Sequence, residues 1–111
     1  MESKQKTTIE PKADICTLIN VFTVEPEKQQ ALIDLLNVAT EEVMRHQAGF
    51  ISANIHRSLD GRHVVNYAQW ETAEAFQNML RNPDAQVHMN RAAGMATVRP
   101  VLYQVVSAHH V

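Results

Sequence analysis

The sequence predicts an α+β domain of the split β-α-β type, with elements in the order β-α-β-β-α-β. Three observations predict it. Short runs rich in Ile, Val, Thr, Phe and Tyr alternate with longer stretches whose apolar residues recur at helical spacing. An Asp60-Gly61 pair joins the second and third of those runs, and such a pair favours a hairpin because the turn needs φ > 0. The chain has 111 residues and neither a linker nor a repeat, so it makes one domain. The expected result is ferredoxin-like: a four-stranded antiparallel sheet with helices on one face.

Residues 1–13 are polar, carry Pro11 and read as a flexible tail, leaving 14–111 as the domain. Ile15 to Val24 reads as the first strand. Pro26 suits the first position of a helix. Leu32, Leu35, Leu36, Ala39 and Val43 then form one apolar stripe, so a helix is expected from Pro26 to His46, ending before Gly49. Phe50 to Arg57 and His63 to Glu71 are the hairpin strands. Thr72 is a cap for the next helix, which is lined by Ala75, Phe76, Met79 and Leu80. Asn82-Pro83 marks a break and a fresh cap, with helix to Ala93 or Met95. Val98 to Ala108 is the last strand. Strand alternation puts Leu18, Asn20 and Phe22 on one side of the first strand. It groups Phe50, Ser52, Asn54 and His56 in the second, and Val64, Asn66, Ala68 and Trp70 in the third. Helices cover only one sheet face, so the other is expected to be covered by a second copy in a homodimer.

Ten basic residues face twelve acidic ones, for a net charge of −2, and the charges are interspersed. No basic stripe points to nucleic acid. No run approaches the length of a membrane span, and no apolar export segment follows Met1, so the expected location is the cytoplasm. The one cysteine, Cys16, sits in an apolar run and reads as a core residue in a reducing compartment. Six histidines are present. His109 and His110 end the chain, His46, His56 and His63 fall at element ends, and only His88 lies mid-helix. No paired Cys-x-x-Cys or closely spaced His/Asp cluster appears, so no protein-built metal site is expected. With only three glycines, no phosphate-cradling loop for a dinucleotide is expected either.

Asn20 and Asn66 are amides inside otherwise apolar strands. Burying an amide without a partner costs about 1–3 kcal/mol. Either each is satisfied within the core or across a dimer, or each points into a pocket at a ligand. Trp70 shares the face of Asn66 and would give a flat wall for an aromatic molecule.

The run Asn66-Tyr67-Ala68-Gln69-Trp70, with Gly49-Phe50 and Asp60-Gly61 before it and Ala75-Phe76 after it, resembles the antibiotic biosynthesis monooxygenase family. It is most similar to the small quinone-forming members of aromatic polyketide biosynthesis. The resemblance implies a dimeric α+β barrel with a pocket between sheet and helices in each subunit. It also implies oxidation of an anthrone, phenol or dihydroquinone to a quinone by molecular oxygen, with no metal, haem or flavin. The family's pocket asparagine and tryptophan match Asn66 and Trp70. A pocket tyrosine matches Phe76, which lacks the hydroxyl, and the region of the family's helix arginine holds His88, Met89 and Arg91. On this reading Asn66 donates to the developing oxyanion, Trp70 positions the ring, and His88 or Arg91 assists proton transfer. Asn20, Phe76 and Met89 contact the substrate. Haem-degrading relatives of the same superfamily offer an alternative, with Asn20 and Trp70 in their pattern and His88 near their iron ligand. A non-catalytic dimeric binding protein for an aromatic molecule is a further alternative.

Overall fold

A computed structural model describes residues 5–11 and 14–111. The rest of the expected tail, 1–4 and 12–13, lies outside the described residues. Seven main elements follow one another: β1 (Cys16–Val24), α1 (Gln29–Glu42), β2 (Phe50–Arg57), β3 (His63–Trp70), α2 (Ala73–Leu80), α3 (Pro83–Met95) and β4 (Ala96–Tyr103). The helix expected over 26–46 is α1 flanked by two single 3-10 turns, Pro26–Lys28 and Met44–His46. Val43 interrupts it with φ −126° and ψ −60°, outside the helical range. Both predicted caps form. Thr72 Oγ1 accepts from the Ala75 N–H at 3.0 Å, and Asn82 Oδ1 accepts from the Asp84 and Ala85 N–H groups. The last strand begins at Ala96 rather than Val98 and ends at Tyr103, because α3 passes into it without a break residue.

The strands pair antiparallel in the order β2-β3-β1-β4, the ferredoxin-like arrangement. α1 and α2 pack on β3 and against α3, so the helices lie on one face. The expected dimeric α+β barrel is corrected here. The sheet is open, with β2 and β4 as its edges, and no dimer is evident in the single chain. Four strands are too few to curl closed on themselves.

Register departs from simple alternation at one place. Phe50 pairs with Trp70 but Ser52 pairs with Gln69, so Ile51 is the extra residue of a β-bulge. The bulge moves Phe50 to the helix-covered face, while Ser52, Asn54 and His56 stay on the other. Those four residues therefore do not share a side as expected. On the outer face, buried Gln69 is held by Ser52 Oγ at 2.8 Å and donates to the Thr8 carbonyl at 2.8 Å. Thr7 Oγ1 also donates to Asn54 Oδ1 at 2.7 Å, so the described part of the N-terminal segment lies on this face.

The core has two halves. Leu18, Ala68, Trp70, Phe76, Met79 and Ala85 form one buried cluster, and Phe22, Val24, Leu32, Val64 and Ala92 form the other. Along β1 and β3 the boundary between the halves falls at Asn20 and Asn66.

Candidate active site

Asn20 and Asn66 are directly paired across β1 and β3, and Asn20 is paired with Pro100 on β4. A proline is tolerated there because β4 is an edge strand. This rank of residues replaces apolar side chains at the middle of the sheet, and above it lies a cavity of about 570 Å³. The strands supply the floor. α1 contributes Leu36, Ala39 and Thr40, α2 contributes Phe76, Gln77, Met79 and Leu80, and α3 contributes His88, Met89, Asn90, Ala92 and Ala93. The lining residues Gln77, Asn90, Ala93 and Pro100 are exposed and mark the opening to solvent.

Trp70 forms a wall and is among the most buried side chains in the chain. Phe50 meets it edge-on at 5.4 Å between ring centroids, and Phe76 does so at 6.1 Å. These contacts fix the indole plane, and they depend on the bulge that turns Phe50 inward. Cys16, paired with Trp70 across β1 and β3, is half-buried, and burial raises its thiol above the ordinary range.

Asn20 Oδ1, Asn66 Oδ1 and His88 Nδ1 are buried without a hydrogen-bond partner, and all three residues line the cavity. In a native interior such groups are nearly always paired, so three facing one cavity make it the candidate site. Each amide offers an acceptor oxygen and N–H donors, so it can meet either a hydroxyl or an oxyanion. Among the described residues, no Asp, Glu, Lys, Arg, Cys or Tyr lines the cavity, and His88 is its one ionisable side chain. Among the described residues, no group of three or more His, Cys, Asp and Glu is placed to hold a metal ion.

The structure brings together Asn20, Asn66, Trp70, Phe76, His88 and Met89. Arg91 is not brought in. It is exposed and outside the lining, because it falls roughly half a turn past Met89 on α3. Sequence reasoning missed Phe50, Gln77, Asn90 and Pro100 as parts of the site. The proline inside a strand was the one signal that could have pointed to the floor.

The antibiotic biosynthesis monooxygenase family matches residues 15–91, most of the sheet and all but the end of α3. The chain belongs to that family. It is 44% identical over 98 residues to the tetracenomycin-F1 monooxygenase of Streptomyces glaucescens, covering 88% of each chain. This family member also resembles the ActVA-Orf6 monooxygenase of Streptomyces coelicolor, solved in complex with nanaomycin D. That match has a TM-score of 0.78 and 27% identity over 86% of this chain and 91% of the other. SnoaB, a cofactor-independent oxygenase from Streptomyces nogalater, shares the fold with a TM-score of 0.72 at 24% identity, over 86% of this chain and 97% of the other. The protein is thus a monooxygenase of this family, an oxidoreductase. No helix among the described residues is long and apolar enough to cross a membrane.

Proposed function

We propose that this monooxygenase oxidises a polycyclic phenol, anthrone or dihydroquinone to a quinone, using molecular oxygen and no resident cofactor. The observation that carries the reading is the Asn20–Asn66 pair, two amides whose carbonyl oxygens lack partners, on the floor of a largely apolar cavity walled by Trp70. A cofactor-free oxygenase needs its substrate to supply the electrons, and an electron-rich aromatic does so once deprotonated. The anion passes one electron to oxygen, the radical pair combines to a peroxide, and loss of water leaves the new carbonyl. Preorganised amides aimed at the developing oxyanion favour the anion without reorganising during reaction. In this reading Asn66 donates to the oxyanion and Asn20 binds a second oxygen of the substrate. Trp70 sets the plane of the ring, and Phe76 and Met89 complete its apolar enclosure. Arg91 lies too far round α3 to serve except at the approach to the opening.

The cavity suits haem less well. His88 is an available axial ligand, but the lining carries no cation to meet the propionates. A titration with haem that leaves the Soret band unshifted is the expected result. A homodimer in the cytoplasm is part of the same proposal. It is supported by the half-buried apolar residues Ile19, Val21 and Val65 on the sheet face away from the helices, and sedimentation measures it directly.

The deciding experiment follows oxygen uptake and quinone absorbance with an anthrone substrate and purified, metal-free protein. Turnover that stops without oxygen and falls about 10²–10³-fold in Asn66→Ala supports the reading. A rate equal to the uncatalysed background, or full activity in Asn66→Ala, overturns it.

A further inference from the structure

We propose that the His88 imidazole is the sole acid–base group of the reaction and handles both protons that the substrate loses. This rests on the oxygenase reading above. His88 enters the cavity from the inward stripe of α3, between buried Ala85 and Ala92, and its Nδ1 is buried with no hydrogen-bond partner. No side chain reaching the cavity from α1, α2 or any strand is ionisable. The two charged residues of α3 itself, Asp84 and Arg91, are exposed and outside the lining. Phe76, on the wall beside Trp70, has no hydroxyl to share the task.

The chemistry then balances on one group. Neutral imidazole takes the first proton from a ring methylene activated by neighbouring phenols. The resulting anion transfers an electron to oxygen, and superoxide and radical join in a C–O bond. The imidazolium returns its proton to the outer peroxide oxygen. Imidazole next removes the second C–H proton as the O–O bond breaks. The C–H electron pair becomes the carbonyl π bond, and the departing hydroxide collects the proton as water. One oxygen atom ends in the quinone, the other in water, and the histidine is neutral again.

The test compares wild type, His88→Gln and His88→Ala with an anthrone. It uses oxygen uptake for turnover and quenching of Trp70, the one tryptophan, for binding of the quinone product. The expected result is a fall in kcat of about 10²–10⁴-fold in both variants with product binding retained. The pH dependence of kcat/KM should keep only the substrate's own ionisation, and added imidazole should restore turnover to His88→Ala. Wild-type kcat and pH profile in both variants overturn the assignment alone. So does joint loss of binding and turnover without imidazole rescue, which marks a structural role. An inert wild type overturns the oxygenase reading, and the assignment falls with it.

Discussion

At the scale of single residues, the site is a set of groups that the fold leaves dissatisfied. Asn20 and Asn66 take up positions where Leu18, Phe22, Val64 and Ala68 show that apolar side chains fit, and their carbonyl oxygens find no partner. Replacing such an amide with an apolar side chain of similar size should strengthen the folded state and weaken the enzyme. Asn20→Leu is expected to raise the free energy of unfolding by about 1 kcal/mol, read by urea denaturation, while lowering kcat/KM for the aromatic substrate. Loss of stability in this variant would show that Asn20 is satisfied in the core. The two amides were legible in the sequence because polar residues inside β-strands are conspicuous. Their unpaired state was not, since satisfaction depends on neighbours from α1 and α3 that only the folded chain brings near.

At the scale of elements, capping and turn chemistry were readable residue by residue. Thr72, Asn82 and the Asp60-Gly61 turn each act locally, and each stands where the sequence put it. Asp60 illustrates why. Its carboxylate accepts from Ser58 Oγ and the Arg62 N–H within the turn, and these bonds hold its pKa below the ordinary carboxylate value. The faces of β2 were misread because a bulge is a property of two paired strands, and nothing in Phe50-Ile51-Ser52 alone requires one. The glycines flanking the hairpin strands separate local from tertiary effects. Gly49 has φ +85°, and a Cβ there would overlap the Ala75 Cβ on α2. Its carbonyl also accepts from the Glu71 N–H at 2.7 Å. Gly61 has φ +79°, but an added Cβ would meet only Pro26 at 3.7 Å. Gly61→Ala should therefore cost about 1–2 kcal/mol from backbone strain alone, with kcat unchanged. Gly49→Ala should cost roughly 2–4 kcal/mol and also reduce activity, because relieving the overlap displaces the helix that carries Phe76. Equal costs for the two substitutions in thermal unfolding would refute this account of the β2–α2 approach.

At the scale of the whole molecule, the ferredoxin-like α+β arrangement with helices on one face of a four-stranded antiparallel sheet followed from the pattern of elements, because each could be recognised by its period, whereas the expected barrel did not form. The interior was less legible. The periodicity marks which side chains face inward but not whether they meet, and here they meet in two clusters separated by an open centre. An aromatic molecule bound there would bury apolar surface against both clusters and supply the missing polar partners. The quinone product at about 100 times its Kd should stabilise the protein by about 2.7 kcal/mol, seen as a rise in Tm. Asn66→Ala should show a smaller shift, and an unchanged Tm in wild type would argue against the cavity as the binding site. The divided core has a consequence for the catalytic cycle. α3 meets one cluster through Ala85 and Met89 and the other through Ala92 and Met95, and His88 faces the cavity between them. Amide hydrogens of this helix should exchange fastest in the resting enzyme and slow once the ring is seated. The guest molecule then acts as the keystone of the arch it enters, and each product release loosens the masonry for the next arrival.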